Sequence, residues 1–254
     1  MRILVSNDDG IAAPGLAALE QAAARLGAEI WTVAPERKWT AASHQLSFDS
    51  DLTLTELAPR RHASSGSPAD GVVAAMTVLF PDAGIRPDLV VSGVNDGRNA
   101  GEDVAYSGTL AIAREATFWG VPAIGFSRTR GGAWGEAEVA ALSRLIAGFW
   151  RTRGEWALEG HYLSVNLPLV LPAAVAEARV GRDKIAGGGT IVAREENRIT
   201  WRITRGRPHA AIPGDENTLI DSGHVAVTRL AWFAGTPLGE DLVRRWTIRS
   251  ETLE

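Results

Sequence analysis

Residues 1–35 read MRILVSNDDGIAAPGLAALEQAAARLGAEIWTVAP. Ile3-Leu4-Val5 is a short apolar run of the buried-strand kind, and it stops at the turn residues Asn7-Asp8-Asp9-Gly10. From about Gly15, Leu16, Leu19, Ala23 and Leu26 recur on one stripe of a helix, which Gly27 ends. Glu29 to Ala34 is a second apolar run, closed by Pro35. Strand, helix and strand within so few residues imply a parallel pair joined by a right-handed crossover.

The same alternation continues outward. Residues 35–44 form a polar loop, and 45–57 alternate apolar and polar through Leu46, Phe48, Leu52, Leu54 and Leu57, which predicts extended structure. Ser67-Pro68 opens a helix that runs to about Phe80, with Ser67 as its cap. Pro87 to Ser92 is a strand that ends at Gly93 and gives way to a long Gly/Asn loop. Ser107 begins a helix to about Trp119, Pro122 to Phe126 is a strand, Gly135 to Trp150 a helix and Tyr162 to Leu167 a strand. The fold class is therefore α/β: a doubly wound, mostly parallel sheet with helices on both faces.

The pattern changes after Pro172. Gly187-Gly188-Gly189 interrupts the chain, residues 190–193 and 198–204 predict a hairpin, and 223–233 are strand-like. This tail has too few apolar residues for a core of its own. The expected division is a catalytic core over 1–172 and a C-terminal extension over 173–254, with a hairpin and an arm that packs on the core or on a second subunit.

Composition narrows the function. A net charge of −4 does not suit a protein that grips the backbone of a nucleic acid duplex. The chain has no cysteine, so any metal must take oxygen or imidazole ligands. No stretch approaches the roughly 18 apolar residues of a membrane span, and the N-terminus does not read as a signal peptide. No membrane partner is expected, and the expected location is cytoplasmic. The nine tryptophans read mostly as core, and Arg60-Arg61 and Arg244-Arg245 as solvated charge.

Ligands of a doubly wound sheet bind beyond the carboxyl ends of its strands. Three polar loops fall there: Asn7–Gly10, Pro35–His44 and Gly93–Thr109. Asp8 and Asp9 are adjacent acids that repel each other and would repel a phosphate, and a hard divalent cation resolves both conflicts. Alone, Asp8-Asp9-Gly10 also reads as a plain turn. The second loop adds the hydroxyls of Thr40 and Ser43, the third the amides of Asn95 and Asn99, and such oxygens suit Mg²⁺ or Mn²⁺. Ser107-Gly108-Thr109 opens a helix whose free N–H groups and dipole favour an anion, and Ser107 can cap it at the same time. His44 could donate a proton to a leaving group or simply lie exposed. Trp39 could stack on a base or pack over its loop. The chain carries no Gly-x-Gly-x-x-Gly after the first strand, no phosphate loop ending in Gly-Lys and no Gly-x-Ser-x-Gly elbow.

Ile3 to Gly10 with Ala13-Pro14-Gly15-Leu16, Val33-Ala34-Pro35-Glu36-Arg37 with Ala42-Ser43, and Val91-Ser92-Gly93-Val94-Asn95 through Tyr106-Ser107-Gly108-Thr109 resemble, in order, the signatures of the SurE (survival protein E) family of 5′/3′-nucleotidases. Gly66-Ser67-Pro68-Ala69-Asp70 and Val165-Asn166-Leu167-Pro168 match further landmarks. The resemblance implies a Rossmann-like core and one divalent metal per subunit on Asp8, Asp9, Thr40 and Asn95. On that footing the expected catalytic residues are Asp8, Asp9 and Asn95, and the expected phosphate binders are Asn99 and the helix start at Ser107, Gly108 and Thr109. Ser43, His44 and Trp39 are further candidates for substrate contact. The implied substrates are nucleoside monophosphates, and the implied assembly is a homodimer or homotetramer joined through the arm. The chain departs from the family in having Thr40 for Ser, His44 for Asn, and Trp39 and Ala41 for a polar residue and Gly. The alternative reading is a non-catalytic nucleotide sensor on the same core; a glycosyltransferase-like enzyme would need a second full domain.

Overall fold

The computed structural model describes residues 1–182, 186–205 and 212–233. Three stretches decide where the core sits: β1 (Arg2–Ser6), β5 (Leu89–Asp96) and β6 (Ala123–Arg128). All three are buried along nearly their whole length, as near-continuous apolar strands of a parallel sheet must be. Six strands run parallel in the order β4 (Arg61–Ser64), β2 (Glu29–Pro35), β1, β5, β6 and β7 (His161–Leu167). β3 (Leu54–Ala58) adds antiparallel to β4 at one edge. At the other edge β11 (Val225–Ala231) lies antiparallel to β7, and β8 (Val175–Glu177) closes the sheet parallel to β11.

Helices cover both faces. α1 (Pro14–Ala24) and α5 (Glu136–Arg151) share one apolar cluster, which takes in Leu16, Leu19, Leu142 and Ile146 together with Ile3, Val91 and Phe126. α2 (Pro68–Ala74) and α4 (Gly108–Phe118) form the other, with Val72, Leu110 and Ile112 on Leu4, Val33 and Val90. The stripe read for α1 is thus the face it buries, and its last turn closes through the Gly27 N–H on the Ala24 carbonyl. α2 begins at the expected place: the Ser67 hydroxyl accepts from the Asp70 N–H at 3.2 Å, and Asp70 accepts from the Ser67 N–H at 2.8 Å. The helix continues through a π-helical stretch, Ala75–Leu79, into α3 (Phe80–Asp82). The short α6 (Arg153–Trp156) follows α5 and buries Trp156.

Four readings of the sequence change. Residues 45–53 are not a strand: the Ser47 N–H and hydroxyl both bond to the Asp70 carboxylate, at 3.0 and 2.7 Å, so alternation there serves a strapped-down loop rather than a ladder. β5 does not stop at Gly93 but runs on to Asp96 through an irregularity in its pairing with β6. Arg61 is half-buried, bonded to Glu20 at 3.0 Å and to the Ile11 carbonyl at 2.7 Å, whereas Arg60 is exposed as expected; Arg244-Arg245 lie outside the described residues. Trp201 and Trp232 are exposed rather than core.

Beyond residue 172, β8 and β11 join the main sheet, and the expected hairpin appears as a separate two-stranded sheet of β9 (Ala186–Arg194) and β10 (Ile199–Arg205). α7 (Glu216–Asp221) precedes β11. Among the described residues no helix is long and apolar enough to cross a membrane.

Candidate functional site

The strand order reverses at β1, whose neighbours are β2 on one side and β5 on the other. In doubly wound sheets a crevice opens at this reversal, beyond the carboxyl ends of the strands. Asp8 and Asp9 follow β1 there, and Asn95 lies at the end of β5 just past the pairing irregularity that re-aims the strand. A cavity of about 450 Å³ occupies the place, lined by Asp8, Asp9, Trp39, Thr40, Asn95, Asn99 and Ser107. The loop after β2 is drawn over it by the Trp39 N–H, which donates to the Asp8 carbonyl at 2.8 Å.

Asp8 is buried, and its carboxyl is pushed up from 3.8 to about 6. Burial is the main cause, and the neighbouring charge of Asp9 adds to it; the Thr109 hydroxyl, donating to Asp8 Oδ1 at 2.6 Å, and the charge of Lys38 act the other way. Asp9 pairs through Oδ1 with Lys38 and through Oδ2 with the Asp96 N–H at 3.0 Å. The Asn95 side-chain amide donates to the Gly97 carbonyl at 2.9 Å, which leaves its oxygen as the available donor to a cation. Among the described residues no three His, Cys, Asp or Glu side chains cluster as a metal site. The neutral oxygens of Thr40 and Asn95 line the cavity beside the two carboxylates.

The residues expected to bind phosphate stand at the start of α4 and in the loop before it. Ser107 caps the helix, its hydroxyl accepting from the Leu110 N–H at 3.0 Å. The first-turn N–H groups of Gly108 and Thr109 have no intrahelical acceptor. Gly108 packs against Asp8 so closely that a Cβ would fall 2.8 Å from the Cβ of Asp8, which puts the helix start beside the carboxylate. Asn99 is buried and pinned: its amide donates to Ser127 Oγ at 2.6 Å, and its backbone exchanges bonds with the Asn166 side chain at 2.9 and 3.0 Å.

Gly108 and Thr109 lie against Asp8 without lining the cavity themselves, and Ser43 and His44 do not line it either. The Ser43 hydroxyl donates to the Ala105 carbonyl at 2.7 Å. His44 Nε2 lies 2.8 Å from Glu115 Oε2, and its ring stacks on Phe118. Ser43 therefore ties the Thr40 loop to the segment that leads into α4, and His44 ties it to α4 itself. Sequence reading missed Lys38, Arg98, Tyr106, Arg130 and Ile203, which also line the cavity. The cationic members sit in or beside the strand-end loops, so their charge next to the acid pair was a usable signal. Ile203 comes from β10 and carries no such signal.

A family model described as Survival protein SurE matches residues 3–187. A 5′-nucleotidase SurE of Paramagnetospirillum magneticum is 37% identical over 245 residues, covering 91% of this chain and 90% of that protein. One of Anaeromyxobacter dehalogenans is 40% identical over 259 residues, covering 98% and 96%. The crystal structure of the SurE protein from Aquifex aeolicus superposes with a TM-score of 0.76 at 26% identity, over 96% of this chain and 97% of that one. Strand order, an acid pair at the reversal and likeness along nearly the whole length agree, and the chain belongs to the SurE family.

Proposed function

We propose that this protein is a metal-dependent phosphomonoesterase that hydrolyses nucleoside 5′- and 3′-monophosphates to nucleoside and phosphate. One observation carries the reading most: two adjacent carboxylates, a loop hydroxyl and an amide line one cavity at the strand reversal, beside the start of a helix. Relatives at 37% and 40% identity bear the name 5′-nucleotidase.

Asp8, Asp9, Thr40 and Asn95 would hold one divalent cation per subunit, Mg²⁺ or Mn²⁺, since all four donors are hard oxygens. The fit is chemical: Asp8 is held near 6 by burial beside a second acid, a conflict that a cation relieves, and Lys38 now partly offsets it from Asp9. Such an ion, when bound, neutralises charge on the phosphoryl group and eases attack on it. The protein's own residues do the rest. The N–H groups of Gly108 and Thr109, with Ser107 and Asn99, hold phosphoryl oxygens where charge develops. Arg98, Arg130 and Lys38 make the mouth attractive to an anion. Asp8 orients the attacking water through Oδ2, its Oδ1 being engaged by Thr109.

Residues 1–172 supply every acidic and amide donor of this set. The extension supplies the hairpin, whose exposed Ile191, Val192, Ile199 and Trp201 support a homodimer or homotetramer. The protein works in the cytoplasm, where nucleoside monophosphates turn over. The test is phosphate release from a panel of nucleoside monophosphates with Mg²⁺, Mn²⁺ or chelator, for the wild type and Asp9→Asn. Metal-dependent release that falls at least about a hundredfold in the variant is expected. Tight nucleotide binding with no release by the wild type would establish the sensor instead.

A further inference from the structure

With the phosphoryl group held at Asp8, Asn95 and the start of α4, the remainder of the substrate has to occupy the rest of the same cavity. Three of its lining residues are large and mainly apolar: Trp39, Tyr106 and Ile203. They come from three different elements: the loop after β2, the loop before α4, and β10 of the hairpin. The Trp39 backbone N–H donates to the Asp8 carbonyl at 2.8 Å, and the Arg37 guanidinium lies 4.9 Å from the Trp39 ring centroid. Ile203 is 59% exposed, an apolar side chain that lines the cavity from a strand with no other part in the site.

We infer that Trp39 and Ile203 form a wall on which the nucleobase of the substrate packs, and that this wall is what makes the enzyme prefer nucleotides to small aliphatic phosphomonoesters. The inference rests on the proposed nucleotidase reading and adds the residues that set its substrate class. A flat aromatic base gains by stacking on an indole whatever its hydrogen-bonding edge, so the wall favours a base as such. Glycerol phosphate offers it nothing to stack. Trp39 also adjoins Thr40, so the loop that supplies a metal donor supplies the base contact as well.

The experiment compares kcat/KM for AMP and for glycerol 3-phosphate, with Mn²⁺ present, in the wild type, Trp39→Ala, Trp39→Phe and Ile203→Ser. The expected result is an AMP preference that falls about tenfold or more in Trp39→Ala, on the scale of one lost base–aromatic stack. It falls by less in Ile203→Ser, and Trp39→Phe restores most of it. Titration calorimetry with adenosine reads the same wall without turnover, and affinity falls in parallel. An AMP preference and an adenosine affinity unchanged in both Trp39→Ala and Ile203→Ser overturn the inference while leaving the nucleotidase standing. Release from neither substrate, with adenosine bound by the wild type and lost in Trp39→Ala, overturns the nucleotidase and leaves the base wall standing. Should Trp39→Ala fail to fold, Trp39→Leu, which keeps an apolar side chain but no aromatic ring, takes its place beside Ile203→Ser.

Discussion

Asp8 is kept at a cost to the fold. A carboxyl whose folded pKa lies above its unfolded value favours folding most while it is protonated. That contribution is present below 3.8 and is lost as pH rises to about 6. In chelator-treated protein, Asp8→Asn, neutral at every pH, should therefore raise stability above pH 6 by up to about 3 kcal/mol, from two pKa units at roughly 1.4 kcal/mol each. The gap should close towards pH 4. Thermal melts across pH read it directly, and a variant less stable than the wild type at pH 7.5 would mean the carboxylate is better solvated than its burial indicates. The two acids were legible in the sequence because neighbours at a strand end are electrostatically conspicuous. Asn99 was legible as a polar loop residue, but its anchorage on Ser127 and Asn166 was not, since those partners lie on two other strands. His44 illustrates the same limit, because its partner Glu115 is far along the chain and only packing brings the two together.

Elements meet at the site through glycines whose absent side chains admit a neighbour. Gly15, in the first turn of α1, is such a place: a Cβ there would stand 2.0 Å from the Val94 carbonyl oxygen. Backbone cannot step aside as a side chain can, so Gly15→Ala should push α1 away from β5. A loss of about 1–3 kcal/mol or more is expected from overpacking of this kind. Phosphate release should fall with it, because Val94 directly precedes Asn95. Urea denaturation and activity at a temperature where the variant remains folded separate the two effects. The helices and the parallel strands were readable because their apolar periods differ and their caps are local. The stretch 45–53 was not, because alternation is a pattern of exposure, and a loop tied to Asp70 can mimic it.

Across the whole molecule, the loops at the strand reversal lean on the chain's later residues. Arg98, at the cavity, bonds to Thr129 and reaches Asn217 at 3.1 Å and Asp221 at 2.5 Å on α7. Arg98→Met keeps the stem and removes these bonds. Stability should fall by about 1 kcal/mol, the Asp221 partner being half exposed and screened. Amide exchange over 215–231 should quicken, and unchanged exchange there would show that α7 is held by its own packing. The sheet's edge could not be read from the sequence: β11 pairs with β7 across a long stretch of intervening chain, and no local pattern announces such a partner. That pairing also bears on how the protein is made. When β7 leaves the ribosome its outer edge is bare, and the strand that covers it has yet to be translated. At about 5–20 residues per second the exposure lasts roughly 3–12 s. Through that interval each nascent chain presents an open strand to its neighbours on the same message, and a premature stop before Val225 would leave it open for good.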